Sequence, residues 1–257
     1  MFTLPEKDIQ EITGSVEYHY TMRYPALPHP HDIIVWLPPS YHHNTQKRYP
    51  VLYMHDGQNI MDPRTAYIGY DWRIDETATL LIKKNLIEEI IIVGIYNSPD
   101  RLSEYSDCEL GNRYMDFLIH SVKNFIDVMY RTKPEKNHTA TMGASMGGLI
   151  SFLLVWKHSD IFGKAACLSN SFYYDNDKLF HEIENYQGKK KNIQIYLDCG
   201  GREKELLHGY HRMVHLLQEK KFTKGKDLEY YLERKGRHNE QTWARRSWRG
   251  LVFLFGK

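Results

Sequence analysis

From about residue 30 onward, short apolar runs alternate with amphipathic stretches. Residues 15–24 alternate polar and apolar side chains, which predicts a strand at the antiparallel edge of a sheet. Residues 33–37 are continuously apolar and end at Pro38 and Pro39, as a buried strand would. Residues 51–54 form a second such run, closed by the turn pair Asp56-Gly57. Residues 89–96 hold Ile90, Ile91, Ile92 and Val93 and are the most strand-like part of the chain. Further strands are expected at 138–142, 164–169, 192–199 and 228–233.

Helices are expected between them. The spacing predicts helices over residues 72–84, 177–184, 203–220 and 240–255. Tyr114, Phe117, Leu118, Val122, Phe125, Ile126 and Met129 recur near a 3.6-residue period, so one long amphipathic helix is expected there. Residues 149–156 are apolar on all sides and predict a buried helix. Strands alternating with helices imply right-handed crossovers. The expected class is therefore α/β, a mostly parallel central sheet flanked by helices on both faces. One domain over residues 1–257 suits this length, and no repeat or linker interrupts it. Such sheets place their ligands at the carboxyl ends of the strands.

Composition narrows the partners. Lys plus Arg total 34 against 32 Asp plus Glu, a net charge of +2, so there is no electrostatic case for nucleic acid or an anionic membrane. The basic residues at 189–191, with Arg237, Arg245, Arg246 and Arg249, read as solvated faces. No apolar run reaches the roughly 20 residues of a membrane span. Cys108, Cys167 and Cys199 are few and odd in number, which argues against a disulfide framework and for a reducing compartment. The first ten residues are neither basic nor continuously apolar, so no secretory signal is expected and the cytoplasm is the expected location. No Cys/His pair has zinc-ligand spacing, and no metal is expected.

The candidate chemistry sits where those strands end. Gly143-Ala144-Ser145-Met146-Gly147-Gly148 is a G-x-S-x-G sequence between an expected strand and an expected buried helix. A sharp strand-to-helix turn strains the serine backbone and aims its hydroxyl at solvent. The chain folds back on itself there, so the flanking positions must lack bulk, as Gly143 and Gly147 do. A serine hydroxyl needs a neighbouring base. Among 14 histidines, His238 follows the last expected strand and precedes the last helix, where that base belongs. His55 is its rival on the same rim; His208, His211 and His215 fall on a helix and are expected at the surface.

An acid should follow the strand at 192–199. Glu203, beyond the Gly200-Gly201 turn, is the leading candidate; Asp198, still within the strand, and Glu205 remain open. Glu203 could also be simply a helix N-terminal acid. Backbone amides fixed in advance suit a developing oxyanion. The expected donors are the N–H groups of Met146, directly after the serine, and Gln58, after the Asp56-Gly57 turn. Aromatic segments around Trp72, 101–107 and 172–174 are expected to shape the pocket.

Taken together, these residues resemble the "Putative esterase" family of α/β-hydrolases, with its esterase-D-like, feruloyl, acetyl xylan and enterochelin-esterase-like members and the mycolyltransferases. The resemblance runs from about residue 32 to 255. It rests on Tyr49-Pro50-Val51-Leu52-Tyr53 leading into Asp56-Gly57-Gln58, then Arg101-Leu102-Ser103-Glu104-Tyr105, the Ser145 turn, Phe162-Gly163, Gly200-Gly201-Arg202-Glu203, and His238-Asn239-Glu240 with Trp243. It implies the α/β-hydrolase fold, Ser145 as nucleophile, His238 as base, Glu203 as acid, and the Gln58 and Met146 amides as oxyanion hole. Some relatives carry aspartate at the Glu203 position, and some trilactone hydrolases work with a Ser-His pair. The implied activity is cleavage of a small-molecule ester, without metal or organic cofactor. Acyl transfer through the same residues, or a non-catalytic binding protein on the same fold, are the alternatives.

Overall fold

A computed structural model describes residues 12–174 and 176–257. The expected absence of a leader concerned residues outside this range. Eight strands form one sheet in the order β1-β2-β4-β3-β5-β6-β7-β8. They are β1 (Ser15–Met22), β2 (His31–Leu37), β3 (Val51–His55), β4 (Ile91–Ile95), β5 (Thr139–Ala144), β6 (Lys164–Leu168), β7 (Gln194–Gly200) and β8 (Leu228–Glu233). β2 runs antiparallel to both of its neighbours, and every other pairing is parallel. The edge position and antiparallel pairing expected for β1 are those observed.

The continuous apolar runs follow from two-sided burial. Ile33 and Val35 of β2, Val51 and Tyr53 of β3, and Ile91 and Val93 of β4 enter one core. Their alternating neighbours Ile34, Trp36, Leu52, Met54 and Ile92 enter the other. The first core is completed by α3 (Glu109–Phe117), α4 (Asn124–Met129), α5 (Met146–Lys157), α6 (Lys178–Asn185) and α7 (Lys204–Glu219). The second is completed by α1 (Ile74–Lys83) and α8 (Glu240–Phe255). A short helix, α2 (Arg101–Glu104), precedes α3 and was not legible as a periodic segment. The single long helix expected around residues 114–129 is instead α3 and α4 joined by a π-helical stretch, Leu118–Lys123. The apolar period alone does not distinguish these forms, because one wider turn barely displaces the stripe.

Sheet order places the crevice. From β3 the chain crosses to β4 on one side; from β5 it crosses to β6 on the other. The carboxyl ends of the adjacent strands β3 and β5 therefore flank a topological switch point, where α/β sheets open for ligands. The turn at 56–58 and Ser145 sit at those two ends.

His55, the rival base, points into the core. Its Nδ1 lies 2.9 Å from the Tyr114 hydroxyl and its Nε2 3.1 Å from Thr141 Oγ1. Burial pushes its pKa down to about 3, with Asp56 opposing and Arg101 adding to the effect. A folded state that refuses a proton loses stability as pH falls through the range where the unfolded chain accepts it. The His55 contribution is thus whole above about pH 6.5, the ordinary histidine value, and lost progressively towards about 3. Urea unfolding at pH 7 and pH 5 should show a larger drop in midpoint for the wild type than for His55→Gln. Equal drops would place the acid sensitivity elsewhere.

Candidate active site

Ser145 stands between β5 and α5 with φ 58° and ψ −124°. A non-glycine residue rarely holds that backbone, and it persists only where its surroundings over-determine it. Here the Ser145 N–H donates to the Leu168 carbonyl at 3.0 Å, and the Ser145 carbonyl accepts from Gly148 and Leu149 of α5, each at 3.1 Å. A side chain at Gly143 would bring its Cβ within 2.4 Å of the Gly147 carbonyl oxygen, so the elbow closes only with glycine there.

His238 reaches Ser145 from the loop between β8 and α8. Asn239 begins that helix, its side chain accepting the Thr242 N–H at 3.0 Å. The His238 ring meets Trp243 edge-on, with ring centres 4.9 Å apart. Its Nε2 lies 3.0 Å from Ser145 Oγ and its Nδ1 3.2 Å from Glu203 Oε1. His238 is 40% exposed, whereas Glu203 is 2% exposed.

Glu203 precedes the first turn of α7, yet its carboxylate turns away from that helix. Oε2 accepts the Gly200 N–H at 2.6 Å, and both oxygens contact the Ser169 hydroxyl, at 2.9 and 2.8 Å. Trp243 Nε1 and Arg246 Nη2 also bond Ser169 Oγ. Both of those groups can only donate, so the single Ser169 proton must go to Glu203. Burial works against a charge on Glu203. His238, the Arg246 guanidinium, the Gly200 amide and Ser169 together outweigh it and hold the carboxyl down at about 2. An ionised Glu203 fixes the histidine proton on Nδ1 and leaves Nε2 free to accept.

The carboxylate that bonds His238 is that of Glu203, not of the other two candidate acids. Glu205 is exposed on α7. Asp198 lies within β7, as expected, where its Oδ1 takes the Arg246 Nε–H at 2.9 Å and its Oδ2 the Tyr196 hydroxyl at 3.2 Å. Arg246 corrects the reading of the basic cluster as a solvated face: it is 1% exposed and paired with Asp198. Formal charge along the sequence does not show that two carboxylates wait inside for one of its members. Arg237 and Arg245 are exposed.

At the rim opposite His238, Asp56 adopts φ 57° and carries the turn Gly57–Asn59. A Cβ on Gly57 would lie 2.5 Å from the Gly94 carbonyl carbon, so only glycine lets the turn sit against β4. Arg101 grips the Asp56 carboxylate through Nε and Nη2 at 2.6 and 2.7 Å. Asn97 adds a bond from Nδ2 to Asp56 at 2.6 Å and one from its backbone N–H to Gln58 Oε1 at 3.2 Å. Among the described residues, the backbone N–H groups of Gln58 and Met146 have no hydrogen-bond partner. For Met146 this is the ordinary state of a first-turn amide.

A cavity of about 410 Å³ opens on Ser145, lined among others by Gln58, Tyr67, Trp72, Asn97, Arg101 and Trp243. Trp72 and Arg101 are thus where pocket residues were expected. Tyr105 and Phe172 are core residues instead, at 0% and 2% exposure. Tyr173 lines a second cavity of about 440 Å³ on the other flank of His238. Sequence reasoning missed Tyr67, Asn97, Ser169 and Ser171. The last two follow directly on β6 at the same rim, and that position was their only signal.

The chain has the α/β-hydrolase fold, with its serine at the strand-to-helix turn and its histidine after the last strand. It belongs to the esterase family described as "Putative esterase", which matches residues 25–250. It is 26% identical over 244 residues to "Uncharacterized protein YbbA" of Bacillus subtilis, covering 87% of this chain and 92% of that protein. It is 27% identical over 210 residues to an endo-1,4-beta-xylanase/feruloyl esterase of Xylanibacter ruminicola, covering 78% of this chain but only 25% of that protein. Among solved structures, a ferulic acid esterase superposes with a TM-score of 0.77 at 20% identity, over 95% of this chain and 98% of that one. The enterobactin esterase FES of Shigella flexneri superposes with a TM-score of 0.79 at 14% identity, over 96% of this chain and 60% of that one.

Removing the Asp198 charge should act on the fold. Asp198→Asn leaves a buried guanidinium short of its nearest carboxylate, and breaking a buried pair costs on the order of 3 kcal/mol. The variant should melt several degrees lower while its folded fraction keeps most of the wild-type turnover. An inactive Asp198→Asn with an unchanged melting temperature would transfer the acid role to Asp198.

Proposed function

We propose that the protein is a serine carboxylesterase that hydrolyses a small-molecule ester through an acyl-enzyme on Ser145. One observation carries this reading: the bonded chain Glu203–His238–Ser145, with contacts of 3.2 and 3.0 Å, ends at a cavity. The ester carbonyl enters between Gln58 and Ser145. Ser145 Oγ attacks the carbonyl carbon while His238 Nε2 takes the hydroxyl proton. The oxyanion rests on the backbone N–H groups of Met146 and Gln58, which are fixed before the reaction begins. Protonated His238 then gives its proton to the leaving alcohol. Water, deprotonated by His238, attacks the acyl-enzyme and releases the acid. Glu203 keeps the histidine in the required tautomer and balances the imidazolium charge.

The half-open setting of His238 favours hydrolysis over acyl transfer, because it admits water to the base. An intact hydroxyl, base and acid in bonding distance also weigh against a purely binding role. The ferulic acid esterase and enterobactin esterase among the structural neighbours suggest ferulic acid esters and enterobactin as the first substrates to try.

Ser145→Ala should abolish hydrolysis of p-nitrophenyl esters by on the order of 10⁴-fold or more while the protein stays folded. Near-wild-type turnover in the purified variant would refute the reading. Glu203 stays ionised down to about pH 2, so its charge is present across the working range. Glu203→Gln keeps the shape but removes the charge that orients His238 and balances the imidazolium, so turnover should fall, by less than in Ser145→Ala. Turnover at the wild-type level would show that Glu203 does not act on the base.

A further inference from the structure

Ser145 has a second hydroxyl against it. Ser171 Oγ lies 3.2 Å from Ser145 Oγ, on the loop that follows β6. Ser171 is 1% exposed, and its backbone N–H also donates to the Ser145 carbonyl, at 3.3 Å. The direction of the hydroxyl contact follows from the rest of the site. Glu203 is a carboxylate and can only accept, so His238 Nδ1 carries the ring proton. Nε2 is then an acceptor, and the one Ser145 proton points to it. What Ser145 Oγ has left is a lone pair. Ser171 must therefore be the donor. Among the described residues its hydroxyl has no other hydrogen-bond partner.

We propose that Ser171 is a further catalytic residue, donating a hydrogen bond to the oxygen of the nucleophile throughout the cycle. The proposal rests on Ser145 being that nucleophile. Four groups then form one directed series, Ser171 to Ser145 to His238 to Glu203, in which every donor has a single acceptor. When Ser145 loses its proton to His238, its oxygen gains negative charge, and a hydrogen bond to a charged acceptor is stronger than one to a neutral acceptor. The contact is thus worth more in the transition state than in the resting enzyme, which is the condition for raising turnover. In the acyl-enzyme the same hydroxyl faces the ester oxygen that must leave as deacylation proceeds. Ser171 is not part of the cavity wall, so substrate affinity should not depend on it.

The test uses a fluorophosphonate and a p-nitrophenyl ester on the full chain. With the fluorophosphonate, a bond forms from Ser145 Oγ to phosphorus, the P–F bond breaks, fluoride leaves, and the serine proton passes to His238. Ser171→Ala deletes only the hydroxyl, since the backbone N–H bond to Ser145 remains. Its phosphonylation rate and its kcat should both fall on the order of 10-fold, with KM and melting temperature near wild type. Ser171→Thr keeps the donor and should recover most of both rates. Wild-type labelling at Ser145 with the same rate in Ser171→Ala would overturn the role of Ser171 alone. A faster Ser171→Ala would also overturn it, showing that Ser171 diverts Ser145 from the base. Failure of the wild type to label at Ser145 would overturn the nucleophile and this proposal together.

Discussion

Arg246 carries a full charge at 1% exposure, and the architecture of the site depends on how that charge is balanced. Asp198 takes its Nε–H at 2.9 Å, and Glu203 Oε2 lies 4.0 Å from its Nη2. Two carboxylates this close to each other would resist ionising together without a cation between them. With Arg246 present, Glu203 remains charged and the histidine tautomer is set. Ser169 adds the geometry, since it receives from Arg246 and Trp243 and hands its proton to Glu203. The loop after β6, strand β7 and helix α8 are thereby tied at one polar point inside two apolar cores.

Much of this was legible in the chain, for physical reasons that differ from residue to residue. Strands buried on both faces must be continuously apolar, so β2, β3 and β4 declared themselves. Ser145 was legible because the elbow needs glycine where the backbone folds back, and glycine is a distinctive letter. His238 and Glu203 were legible through order along the chain, given the expected position of each strand. The polar residues that hold them were not. Ser169 and Ser171 occupy a loop whose letters are ordinary for a loop, and only the meeting of β5, β6 and β7 reveals what their hydroxyls touch. Arg246 was misread because it stands in a basic run with Arg245 and Arg249, and only the fold shows Asp198 beneath it. The π-helical stretch after α3 was equally invisible, since it leaves the apolar stripe in place.

The two sides of the crevice are built differently. Around Glu203 the polar groups are buried and mostly paired; among the described residues Arg246 Nη1 is buried there without a hydrogen-bond partner. On the Gln58 side a largely buried turn is held by Asn97 and Arg101, whose guanidinium is itself partly open to the cavity. Tyr67, at 87% exposure, has almost no packing to restrain it. The Glu203 side is therefore closed over by its own pairing, whereas on the Gln58 side Tyr67 and Arg101 face the cavity.

The arrangement also has a consequence in time. A chain emerging from the ribosome exposes Ser145 long before residues 238–246 are made. Until then Ser145 has no histidine beside it, and Asp198 and Glu203 have no guanidinium to share. The site cannot form piecemeal behind the tunnel exit. The contact between His238 and Ser145 would form only as α8 docks against β6 and β7.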